Sequence, residues 1–122
     1  MGFHPLNLLV RFLLESAALI AMGCWGWQQG DGAARYAFAL GIPVVAAVVW
    51  GVFAVPGDRS RSGNAPVKVP GALRLGIEAG FFAFAVFALH RSGSRQLSVI
   101  LAVAVIIHYA VSHDRIAWLL RA

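Results

Sequence analysis

Three features of this sequence predict an all-α chain of four transmembrane helices: its apolar content, the bunching of its charges and the spacing of its turn residues. Of the 122 residues, 60% are hydrophobic and only 12% are charged, whereas a soluble domain carries about a quarter charged residues to face water. The mean hydropathy is +0.76. The ten basic and five acidic residues are grouped so that four long apolar runs lie between them. A span needs roughly 20 apolar residues to cross about 30 Å of hydrocarbon, and four such runs use nearly the whole chain. A single integral membrane domain over residues 1–122 follows, with the lipid bilayer as its surroundings.

The first span is expected over residues 6–27, opened by Pro5 and closed by the turn Gln28-Gln29-Gly30-Asp31-Gly32. Arg11 and Glu15 break its apolar run, and no small-x-small cleavage site follows, so it reads as a retained span and not a signal peptide. The second span covers 36–55 and ends at Pro56-Gly57. A polar cytoplasmic loop, 57–70, carries Arg59, Arg61 and Lys68 among serine, glycine and asparagine, which is turn chemistry. The third span covers 71–89, and the turn Arg91-Ser92-Gly93-Ser94-Arg95 leads to a fourth over 97–113. The tail from His113 would prolong that helix and leave Trp118 and Arg121 at the interface.

Orientation follows from the basic residues. With four spans, one side holds Arg11, Arg59, Arg61, Lys68, Arg74, Arg115 and Arg121, and the other holds Arg35, Arg91 and Arg95. Seven against three places both termini in the cytoplasm by the positive-inside rule. Trp25 and Trp27 then form an outer interfacial belt, with Trp50 and Trp118 towards the inner face. The net charge of +5 therefore belongs to membrane topology, and no nucleic-acid-binding face is expected. Cys24 alone can form neither an internal disulfide nor a cysteine-based metal site; its apolar surroundings suggest a buried, unreactive thiol.

A weak internal repeat suggests two tandem helical hairpins in parallel arrangement. Leu9-Val10-Arg11-Phe12-Leu13-Leu14-Glu15 aligns with Ala72-Leu73-Arg74-Leu75-Gly76-Ile77-Glu78 at an offset of 63 residues, which also sets Gly30 over Gly93. Within each copy, arginine precedes glutamate by four residues, so the two share a helix face and can touch. An ionised residue at the centre of a span costs about 2.5–3.5 kcal/mol, against about 0.3–0.6 gained per Leu, Ile, Val or Phe. Each of these spans holds nine such residues, so the charges nearly cancel the gain, and pairing inside a bundle is required. Arg11/Glu15 and Arg74/Glu78 then admit two readings. Each pair is a structural clasp with its arginine snorkelling to the interface, or the two glutamates face a common polar cavity and bind a cation or a proton.

Gly76 and Gly80 form a GxxxG around Glu78, and such small-xxx-small spacings indicate close helix packing. Pro43 frees a backbone carbonyl one turn back and can kink the second span; packing is the simpler account. The histidines do not make a haem or metal site: His90 and His108 fall at different depths, His4 and His113 are interfacial, and His108 and His113 lie five apart. His108 is expected as a satisfied polar residue in the bundle. No phosphate loop, dinucleotide fingerprint, HExxH or GxSxG occurs, so no enzyme activity and no cofactor are expected.

Taken in order, Arg11-Phe12-Leu13-Leu14-Glu15, Gly23-Cys24-Trp25-Gly26-Trp27, Pro43, Trp50-Gly51-Val52-Phe53, Pro56 and Leu73-Arg74-Leu75-Gly76-Ile77-Glu78 resemble the YrdB-like family of small four-helix bacterial membrane proteins. The resemblance covers about the first 95 residues. It implies a four-helix integral membrane protein and supplies no activity. The expectation is a non-enzymatic protein that packs with itself or a membrane partner, the alternative a small proton- or cation-coupled transporter or channel using Glu15 and Glu78.

Overall fold

In the computed structural model, which describes residues 5–56 and 66–121, Pro5 sits at the first position of a long helix, α1 (Pro5–Gln29). Proline is favoured there because its missing N–H would find no partner in the first turn anyway. Gly32, in a left-handed conformation (φ 56°), turns the chain into α2 (Ala33–Val52). A two-residue parallel bridge follows, β1 (Phe53–Ala54) with β2 (Val67–Lys68), in register Phe53↔Val67 and Ala54↔Lys68. The helix α3 (Gly71–Arg91) leads through Gly93 (φ 87°) to α4 (Arg95–Val111) and α5 (His113–Arg121). The left-handed glycines are thus Gly32 and Gly93; the expected equivalence of Gly30 with Gly93 is two residues out of step. Much of the polar loop, including Arg59 and Arg61, lies outside the described residues, as does His4.

Helices α1, α2 and α3 are each long and apolar enough to cross a membrane, and α4 with α5 meets that measure only as a pair bent by 69°. The bend corrects the expectation of a straight final helix. Ser112 accepts from the backbone N–H of Arg115 at 2.9 Å and of Ile116 at 3.1 Å. A new helical turn starts from that carbonyl, and α5 folds against the start of α3, where Leu119 meets Gly71.

The exterior is apolar and the interior is small. No residue of α2 is buried, and Leu40, Val44, Val45 and Val48 are all well exposed. Soluble monomers rarely expose contiguous apolar surface on this scale. The core is a cluster of Leu14, Ala18, Ala21 and Met22 from α1, Phe81, Phe82 and Ala85 from α3, and Leu101 from α4. Alanines at these positions let α1 and α3 approach closely. These two helices run side by side in the same direction: Arg11 meets Glu78 at one end, and Gln28 reaches the Ser92 carbonyl at the other.

The glycines that permit close approach are not those with the clearest motif. A Cβ on Gly76 or Gly80 would meet nothing within 4 Å, whereas one on Gly26 would collide with the Phe38 carbonyl. A Cβ on Gly30 would come within 2.8 Å of the Ala34 backbone, and one on Gly23 would rest 3.9 Å from the Pro43 ring. The α1–α2 crossing therefore uses Gly23, Gly26 and Gly30, with Pro43 packed against it. Among the described residues, Gly76 and Gly80 thus mark no close helix approach, contrary to their motif. Gly26→Ala should cost about 1–3 kcal/mol as overpacking. Gly76→Ala should be neutral or stabilising by up to about 1 kcal/mol, the helix-propensity gain. Unfolding titrations of the two variants in mixed micelles distinguish these outcomes.

Candidate functional site

The buried stripe of α3 runs Gly71, Arg74, Glu78, Phe81, Phe82, Ala85 and Ala88, so its charged pair lies on the same face as its core residues. In α1 the stripe is Asn7, Arg11, Leu14, Ala18, Ala21 and Met22. Glu15 falls one position to the side. The sequence repeat aligns Glu15 with Glu78, yet the two helices are rotated differently about their axes, and the carboxylates end in unlike places. The Glu78 side chain is 0% exposed, that of Glu15 23%.

Five contacts converge on the Glu78 carboxylate. Arg115, from α5, donates through both terminal nitrogens, Nη1 to Oε1 and Nη2 to Oε2, each at 2.8 Å. Arg74 Nε donates to Oε2 at 2.8 Å, and Arg11 Nη2 lies 3.0 Å from the same oxygen. The Tyr109 hydroxyl, on α4, donates to Oε1 at 2.6 Å. A carboxylate offers about four lone-pair positions, so Glu78 is saturated by the chain itself. Among the described residues Glu15 is paired with Arg11 Nε alone, at 3.3 Å.

The arginines are held as firmly as the carboxylate. Arg74 Nη1 also donates to the carbonyls of Trp50 and Phe53, the latter at 2.7 Å. These belong to the C-terminal end of α2, where the last carbonyls have no helical partner and a cation is favoured. The guanidiniums of Arg11 and Arg74 lie over the Trp50 ring, 4.9 and 4.5 Å from its centroid. Cation–π contacts of this kind strengthen once desolvated. Both arginines are buried, so neither snorkels to a surface as expected.

Trp50, half-buried at the end of α2, thus packs into the cluster; its ring also packs on Phe81 and Phe82, at 4.5 and 5.7 Å. Trp25 meets Phe84 and Phe87 edge-on. Trp27 meets Tyr36, with Arg35 4.2 Å above its ring, at the opposite end of α1 from Arg11. Trp118 is half-buried on α5.

Beside this cluster lies a second polar group. Asn7 Nδ2 donates to Ser112 Oγ at 2.7 Å, and its Oδ1 is 3.2 Å from His108 Nδ1. His108 is buried, but its Nε2 has no partner among the described residues. His90 and His113 are exposed. Among the described residues no group of three or more His, Cys, Asp or Glu is placed to hold a metal ion. Cys24 is exposed on α1, which corrects the expectation of a buried thiol. Arg115, Tyr109, Asn7 and Ser112 were not legible as site residues. The i,i+4 rule finds only partners on one helix, whereas Arg115 and Tyr109 reach Glu78, and Asn7 reaches Ser112 and His108, across helices.

Two apolar grooves flank α3. One, of about 590 Å³, runs between α2 and α3 past Ile42, Val45 and Phe84; the other, of about 650 Å³, runs between α3 and α4 past Phe82, Val105 and Tyr109. Neither is lined by Glu15 or Glu78. The expectation that the two glutamates share one polar cavity does not describe these spaces.

These features define a class: a small helical protein with apolar helices long enough to span a membrane and a buried cluster of arginines closed on one carboxylate. A family model described as "Protein of unknown function (DUF2568)" matches residues 9–106, and the chain belongs to this family. It is similar to the uncharacterized protein YrdB of Bacillus subtilis (strain 168), 46% identical over 114 residues that cover 93% of each chain. No solved structure matches.

Proposed function

We propose that this chain is a four-span integral membrane protein, with both termini cytoplasmic. In this reading it is non-enzymatic, and it works by presenting its apolar helical surface to a second copy or to another membrane protein. Arg11, Arg74, Arg115 and Glu78 are the clasp that keeps that surface in one shape. The observation that carries the reading is the saturation of Glu78, whose oxygens are all engaged by Arg11, Arg74, Arg115 and Tyr109. A carrier site must release its ligand, and a carboxylate closed by three guanidiniums has no position for a cation to enter.

The half-buried Glu15 is the one member of the cluster open enough to exchange a proton or cation, and a transport role would fall to it alone. Glu15→Gln and the native protein, reconstituted in vesicles, are compared for proton and monovalent-cation flux. The clasp reading expects no flux from either, a self-associated or partner-bound state surviving mild detergent, and a stability change below about 1 kcal/mol, as for a partly exposed ion pair. Flux by the native protein that Glu15→Gln removes would replace the clasp reading with the transport one.

A further inference from the structure

His108 and Arg11 each keep one buried nitrogen without a partner among the described residues: Nε2 of the imidazole and Nη1 of the guanidinium. Both side chains are more than nine-tenths buried. They flank the same residue, since Arg11 lies one turn beyond Asn7 on α1 and His108 is hydrogen-bonded to Asn7.

The hydrogen-bond directions make these two nitrogens complementary. Asn7 Nδ2 donates to Ser112, which leaves Oδ1 to accept from His108 Nδ1. Nδ1 therefore carries the ring proton, and in a neutral imidazole the other nitrogen is then an acceptor. Arg11 Nη1 is only a donor. Were the Asn7 amide turned over, Nε2 would hold the proton and the cluster would bury two donors, each unsatisfied. The first arrangement is the one the burial favours.

We propose that His108 is held in its Nδ1–H form and that one water molecule is bound between its Nε2 and Arg11 Nη1, donating to the imidazole and accepting from the guanidinium. Buried waters characteristically serve polar groups left unsatisfied by the chain. This water completes a continuous path from Ser112, where α4 bends into α5, through Asn7, His108 and Arg11 to Glu78. The bend and the ion cluster become one hydrogen-bonded unit. The site stands independently of the clasp reading, since it concerns the wild-type hydrogen-bond network alone.

The test is magic-angle-spinning NMR of the 15N-histidine-labelled protein in bilayers at neutral pH, with His108 assigned by the signals lost in His108→Gln. The expected spectrum has a protonated Nδ1, a bare hydrogen-bonded Nε2, and magnetisation transfer from water protons into the ring. Asn7→Leu removes the acceptor that holds the tautomer and should convert the ring to the Nε2–H form. A protonated Nε2 in the native protein overturns the proposal. So does a direct coupling of Nε2 to an Arg11 guanidinium proton without water transfer, or an Asn7→Leu ring that stays Nδ1–H. Should Asn7→Leu not fold, the native spectrum decides by itself.

Discussion

Glu78→Gln should lower the unfolding free energy by about 3–5 kcal/mol, the range for removing one partner from a buried ion pair. The amide keeps the shape of the carboxylate and loses its charge. It also turns an NH2 towards donors that need an acceptor. Arg11, Arg74 and Arg115 all aim at this one group, and Arg74 is further pinned to the α2 carbonyls, so the guanidiniums cannot withdraw to water without opening the helix ends. The measurement is an unfolding titration in mixed micelles, with Glu15→Gln as the control that should change little. Equal costs for the two variants would mean that the pairs are equivalent, as the repeat suggests, and would sink the asymmetric clasp.

The second large effect is expected far from any charge. A Cβ on Gly71 would run into the backbone carbonyl of Leu119 on α5, and Leu119 itself is fully buried. Gly71→Val should therefore push α5 off the start of α3 and draw Arg115 away from Glu78. Overpacking costs about 1–3 kcal/mol, and loss of the Arg115 fork adds to it. The readout is chymotrypsin cleavage at Trp118, blocked in the native protein and rapid in the variant, together with a red shift of tryptophan emission. An α5 that stays protected in Gly71→Val would show that the helix does not depend on this contact for its position.

Both predictions rest on positions that the sequence marks unevenly. The Arg11/Glu15 and Arg74/Glu78 pairs are visible as i,i+4 spacings in apolar runs, and charges so placed must turn inward. Which glutamate becomes the centre is not visible. That depends on how far each helix is rotated about its axis, which the packing of Ala18 and Ala21 against Phe81 and Ala85 decides. The glycines show the same division. Gly76 and Gly80 have the spacing of a contact motif, yet a Cβ on either would meet none of the described residues, while one on Gly26 would strike the Phe38 backbone. A spacing says that a close approach is permitted; the partner helix must come to that face for it to happen.

Arg115 illustrates what local rules omit. It is 37 residues from Glu78 along the chain, in a tail that reads as a continuation of the last helix. Nothing in Val111-Ser112-His113 resembles a proline or glycine break. The 69° bend arises where α4 ends at Ser112, whose hydroxyl accepts from Asn7 of α1 and whose carbonyl starts the next helix. That is a long-range contact, invisible to periodicity.

The sequence by itself determined the all-α class, the apolar helices and their approximate limits, the family, and the arginine–glutamate pairs as the chain's costliest residues. Those follow from composition and from the 3.6-residue period, which act within one helix. Only the tertiary structure decided that three arginines and a tyrosine close on Glu78, that Trp50 lies beneath two guanidiniums, and that α5 folds back against the start of α3. These are set by contacts between helices, where small differences in rotation and crossing choose which of several polar groups is enclosed.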